Sequence, residues 1–219
     1  MSYPDGSIVG MSFAPLPETA AWRHHTARAG FEVAYFGPPR AEGRLQAEDP
    51  LQAEDPLQAE GLLRVEGCTT AVEGGITWVV DYAIDLDAGW VTRRARITSR
   101  SAAGTRSTLL ECDGAGGWRI DGMPAPHLHG CLDVDLEASA MTNTFPVHRL
   151  GLEPGAGSPA PAAYVRAPDL GVERLDQQYA RAGGRDYDYA APVFGVECRL
   201  AFDEYGLVLD YPGLATREA

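Results

Sequence analysis

The chain has 219 residues, 45% of them hydrophobic and 22% charged, which suits one ordered globular domain over residues 1–219. Its formal net charge of -13 leaves no clustered cations with which to displace counterions from a phosphate backbone, so nucleic acid is excluded as the expected partner. All 18 basic residues are Arg, a pattern read first as genome coding bias, and nowhere do some 18 apolar residues run together as a membrane helix requires.

The N-terminal stretch MSYPDGSIVGMSFAPLPETAA lacks the basic start and apolar run of a secretory signal, so a cytoplasmic protein is expected. A helical turn is expected over 17–28, followed by a strand at Phe31 to Phe36. The motif LQAEDP then occurs at Leu45 to Pro50, again at Leu51 to Pro56, and begins a third time at Leu57. Its period is too short for a stacking repeat, and each copy ends in a proline that limits helix, so residues 44–60 read as an acidic surface loop.

Beyond the repeat, alternation dominates the chain. Ile76, Trp78, Val80, Tyr82 and Ile84 share one face of a strand, and Gly74-Gly75 suits a hairpin turn back to Leu62 to Thr70. Further strands are expected at 90–99, 105–112, 117–121, 160–167 and 175–182. A last hairpin is expected from Phe194 to Phe202 through Asp203 to Gly206 into Leu207 to Tyr211. Apart from the 17–28 turn, only 132–140 reads as a helix. Strands at this spacing without alternating helices imply a mainly β protein, with an antiparallel sheet curled toward a barrel or sandwich.

Two residue groups raise the question of chemistry. Asp133 and Asp135 are spaced as the acidic pair that holds a divalent ion in many sugar-nucleotide transferases, yet no glycine-rich phosphate loop accompanies them. His127 and His129 lie in what reads as an exposed Pro-rich loop, and His24-His25 has no partner set, so no metal and no cofactor is expected. Arg94 or Arg96 could line a polar part of a pocket or face solvent. No GxSxG elbow or HExxH motif appears, and no cysteine sits beside a base. Cys68, Cys112, Cys131 and Cys198 lack paired spacing and read as reduced thiols.

Several stretches, taken together, carry a resemblance. They are Asp113-Gly114 with Gly117-Trp118 and Asp121-Gly122, His129 to Leu136 (HGCLDVDL), Thr142 to Leu150 (TNTFPVHRL), Gln178-Tyr179, Tyr187-x-Tyr189 and Gly206 to Leu214 (GLVLDYPGL). Trp22-Arg23 and Asp87 to Arg93 extend it upstream. In this order they make the chain similar to the bacterial putative glycolipid-binding family of single-domain proteins. Two features depart from the family pattern: Ala140-Met141 stands where Pro-Phe is usual, and the LQAEDP insertion has no counterpart. The resemblance implies an antiparallel, incompletely closed β-barrel (a half-barrel) with a few short helices and an apolar cavity, similar in shape to lipid carriers that work outside the cytoplasm.

The expected function is therefore non-catalytic binding of a glycolipid or other lipid-like, amphipathic small molecule. Its polar head would meet Arg149, Asn143, Thr142, Asp133 and Asp135, with Trp118 and Tyr179 as aromatic contacts. Each has a plainer reading: Arg149 neutralising one of the aspartates, Asn143 holding a turn before Pro146, and Trp118 and Tyr179 filling a core with Trp78 and Tyr211. The alternatives are a small-molecule hydrolase or isomerase using Asp133, Asp135 or His148, and an acidic protein-interaction module.

Overall fold

The computed structural model describes residues 13–26, 28–38 and 62–219, so the LQAEDP repeat and the expected 44–60 loop lie outside the described residues. The N-terminal strands are β1 (Thr19–His24), β2 (Ala29–Gly37), β3 (Leu63–Glu73), β4 (Ile76–Leu86), β5 (Thr92–Ser101), β6 (Gly104–Cys112), β7 (Trp118–Ile120) and β8 (Met123–Pro124). After them come β9 (Asp133–Leu136), the helix α1 (Thr144–Leu150), β10 (Gly157–Pro159), β11 (Ala162–Val165) and β12 (Val172–Leu175). The chain finishes with β13 (Gln178–Gly183), β14 (Asp186–Ala191), β15 (Val196–Phe202), β16 (Val208–Tyr211) and β17 (Ala215–Arg217).

Fourteen strands form one antiparallel sheet in the order β10-β13-β14-β15-β16-β17-β1-β2-β3-β4-β5-β6-β7-β8, a half-barrel whose outermost strands do not meet. Its inner face follows from strand alternation. Ala20, Ala34, Gly67, Tyr82, Ile97 and Thr108 lie opposite one another across six strands. All of these except Gly67 are buried. Gly74 and Gly75 turn the β3–β4 hairpin with φ of 56° and 80°, the left-handed pair that a two-residue turn of this twist demands.

Three expectations are corrected. Within 17–28, Thr19–His24 form the strand β1 and no helical turn, because Ala20, Trp22 and His24 alternate into the core while the strand pairs with β2 and β17. The helix expected over 132–140 is instead β9, which runs parallel to β11 in a second sheet of order β12-β11-β9. Tertiary bonds override local preference here: Thr92 N–H donates to Leu132 O at 2.9 Å, and Val134 N–H donates to Thr92 Oγ1 at 3.0 Å. Helix starts only after a 3-10 turn at Met141–Asn143, with Pro146 tolerated in its first turn. The strand expected at 175–182 divides, Leu175 ending β12 in the second sheet and Gln178 starting β13 in the first.

The second sheet and α1 fill the hollow of the half-barrel. Cys131, Val134, Leu136, Ala138, Ala140, Met141 and Phe145 are all at most 2% exposed and pack in one cluster with Trp22, Ile84, Ile97 and Leu110. The apolar space that the half-barrel would leave for a ligand is thus occupied by the chain's own 131–145 segment.

Candidate functional site

Strand β9 sets the polar centre. Asp133 and Asp135 project from the same face because they are two residues apart, opposite Ala162 and Tyr164 of β11. Arg149, in the last turn of α1, meets Asp133 as a fork: Nε donates to Oδ1 at 2.9 Å and Nη2 to Oδ2 at 2.5 Å. Burial raises the Asp133 carboxyl and the fork opposes that rise. Arg149, against burial that would lower it, is held above its ordinary value by Asp133.

Asp135 has no such partner. It is 9% exposed, and among the described residues the one side chain bonded to its carboxylate is Thr142, whose hydroxyl donates to Oδ1 at 3.1 Å. Burial pushes its carboxyl up to about 6, a rise that the Thr142 bond opposes and the neighbouring Asp133 charge reinforces.

Tyrosines of the C-terminal hairpins close over this centre. Tyr179 donates to Asn143 Oδ1 at 2.7 Å, while Asn143 Nδ2 donates back to Ala140 O at 3.3 Å and so also holds the turn before Pro146. The Tyr179 ring lies 5.1 Å from Tyr189, which lies 5.8 Å from Tyr211, and Tyr189 donates to Gln177 Oε1 at 2.9 Å. Tyr164 packs 5.2 Å from Phe194, an exposed ring in the turn before β15. Burial raises the phenols of Tyr164, Tyr179, Tyr189 and Tyr211, and the Asp135 charge adds to all four.

Six sequence candidates, Asp133, Asp135, Thr142, Asn143, Arg149 and Tyr179, therefore converge in pairs across β9, the 3-10 turn, α1 and β13. The seventh does not join them: Trp118 donates its indole N–H to Cys131 O at 2.9 Å and packs in the main core. His148 points elsewhere too. Its Nε2 donates to Tyr205 O at 2.9 Å and its ring stacks on Trp90 at 3.6 Å, while burial lowers it to about 4, against the pull of the Tyr205 carbonyl. His127 and His129 are exposed, and no group of three metal-ligating side chains exists among the described residues.

Two groups escape a reading of the sequence alone. Tyr189 on β14 and Tyr211 on β16 act electrostatically on Asp135 from more than fifty positions away, a link that neither the Tyr187-x-Tyr189 spacing nor the place of Tyr211 in GLVLDYPGL discloses. Glu32 is hidden among its apolar neighbours in β2. It is fully buried, and it accepts bonds from Tyr82 Oη at 2.7 Å, from Ala140 N–H at 2.8 Å and from the Ser139 hydroxyl. His24 Nε2 lies 3.7 Å from it. This cluster ties the 137–140 segment to the sheet, together with Thr69, whose hydroxyl donates to Ala138 O, and Arg28, which donates to Glu137 O.

The larger concavities lie over the sheet strands. A groove of about 740 Å³ runs across β10, β13, β14 and β15. Because Tyr179 and Tyr189 are buried on the inner face, alternation gives this groove the side chains of Gln178, Ala180, Asp188, Ala190 and Glu197. A groove of about 370 Å³ includes Tyr35, Glu66, Cys68, Asp81 and Arg96, so Arg96 does border a pocket, on the outer side.

A family model described as "Putative glycolipid-binding" matches residues 52–217. The crystal structure of a DUF1089 family protein from Pseudomonas aeruginosa superposes with a TM-score of 0.68 at 33% identity, over 80% of this chain and 100% of that one. No curated protein matches the chain.

Proposed function

The chain belongs to the family described as putative glycolipid-binding, and from that membership we propose that it binds a lipid-like amphipathic molecule without transforming it. The observation that supports this most is the convergence of Asp133, Asp135, Thr142, Asn143, Arg149 and Tyr179 beside an apolar lip. Val193 and Phe194, 72% and 51% exposed, form that lip, with Phe194 against Tyr164. Polar groups fix a head and the lip receives the start of a tail, the usual division of labour in a small-molecule site.

An alkyl chain of about ten buried methylenes contributes roughly 8 kcal/mol gross, of which association and ordering remove several, leaving micromolar capture. On this proposal residues 1–219 are one domain. The protein belongs in a bacterial cytoplasm, which four free cysteines suit. The charge of -13 speaks against a nucleic-acid partner. Among the described residues no helix is long and apolar enough to cross a membrane.

Native mass spectrometry of freshly purified protein, set against its denatured mass and a solvent extract, tests the proposal. A discrete excess mass that extracts as a lipid is expected. A bare mass, before and after incubation with total lipid extract, would sink it.

A further inference from the structure

We infer that the head group recognised at Asp135 carries an ammonium, as an amino sugar or a choline-type head does, in preference to a neutral sugar or a phosphate. The inference rests on the proposed binding function and narrows its ligand. The polar centre holds two carboxylates and one cation. Arg149 spends both arms of its fork on Asp133, which leaves Asp135 nine-tenths buried with a single hydroxyl partner and its second oxygen, Oδ2, without any bond among the described residues. Oδ2 is not one of the fully enclosed polar atoms left without a partner, so it stays open to a ligand, and a carboxylate so largely removed from water gains strongly from a positive charge.

The surroundings fit a cation and nothing negative. The charged and titratable groups that face Asp135 are Asp133 with its Arg149 on β9 and α1, Tyr164 on β11, Tyr179 and Tyr189 on β13 and β14, and Tyr211 on β16. Tyr164 also feels Glu137 and Arg28. Among the described residues of this centre, no cation is left over to bind phosphate. The rings of Tyr179, Tyr189 and Tyr211 pack 5.1 Å and 5.8 Å apart within electrostatic reach of Asp135, and aromatic rings of this kind attract ammonium groups. A net charge of -13 favours approach of a cationic head and repels an anionic one. Burial, reinforced by the Asp133 charge, raises the Asp135 carboxyl to about 6, and a bound cation would pull it back down.

Four decyl amphiphiles below their micelle-forming concentrations provide the test: decylamine, decyltrimethylammonium, decyl maltoside and decyl phosphate, titrated calorimetrically into wild type, Asp135→Asn and Tyr211→Phe at pH 8 and pH 6. One or both ammonium probes should bind about tenfold or more tightly than the maltoside at pH 8, and which leads separates a primary amine from a quaternary head. The advantage should vanish in Asp135→Asn and shrink in Tyr211→Phe. At pH 6 binding should release a fraction of a proton, seen as a buffer-dependent heat, which a merely structural Asp135 would not give.

If the maltoside or the phosphate binds best, or if the ammonium advantage survives Asp135→Asn undiminished, the head-group inference is overturned while amphiphile binding stands. If none of the four binds, the functional proposal fails first and takes the inference with it.

Discussion

Asp135 and His148 pull the stability of the protein in opposite directions as pH changes. The Asp135 carboxyl rises from 3.8 to about 6 on folding, chiefly through burial. The native state then holds its proton more tightly than the unfolded chain, so this stabilisation is complete below about pH 4 and is lost as pH climbs through 6. Some two pKa units correspond to roughly 3 kcal/mol as an upper figure. His148 falls from 6.5 to about 4, also through burial. Its contribution is present above pH 6.5 and lost as pH drops toward 4. Asp135→Asn should therefore raise stability at pH 8 by about 2 kcal/mol, leave it little changed at pH 4, and expose a fall between pH 6.5 and 4 caused by His148. Urea denaturation across that range measures it, and an Asp135→Asn curve parallel to wild type would refute the burial argument. The acidic pair was legible in the sequence as a pair, and Arg149 as its neutraliser. Which aspartate would keep the arginine was not, because that depends on where the last turn of α1 ends against β9.

At the scale of elements, the placement of 131–145 inside the half-barrel depends on polar groups from β2, β3 and β4. Gly67 lets the directly paired Tyr82 ring lie across β3; a Cβ at that position would sit 2.2 Å from the ring. The Tyr82 hydroxyl thereby reaches Glu32, which also receives Ser139 and Ala140. Glu32→Gln replaces an acceptor of three donors by a group that must itself donate, and should cost about 2–4 kcal/mol. Gly67→Ala should cost a similar ~2–4 kcal/mol by displacing Tyr82, an overpacking effect at the strong end of its range. A Glu32→Gln protein with an unchanged urea midpoint would show that the insert is held by apolar packing alone. Period-two patterning, with the Gly74-Gly75 turn and the Asp203 to Gly206 turn, made the hairpins of β3, β4, β15 and β16 readable in advance. The patterning misled at 17–28 and 132–140, where short strands with few alternations gain their identity from partners far along the chain.

For the whole molecule, the main long-range join is β17 between β16 and β1. Arg23 and Glu218, 195 positions apart, form a salt bridge there, and the Arg217 guanidinium lies 5.2 Å from the Trp22 ring centre. A sheet whose halves are joined through so distant a strand pairing should refold slowly, in milliseconds to seconds. Thr216 lies opposite Asp210 on one side and Arg23 on the other, so Thr216→Pro should remove about 3 kcal/mol or more by breaking the ladder at its centre. An unaltered chemical midpoint would mean that the two halves of the sheet hold independently. The same pairing has a mechanical consequence. Because β1 and β17 are antiparallel, with Trp22 opposite Arg217 and His24 opposite Ala215, a force applied through Phe13 and Ala219 acts at one end of the pair. It would open the hydrogen bonds one at a time, as a zipper opens, without loading them together in shear. The join that unites the sheet is thus its softest point under tension along that axis.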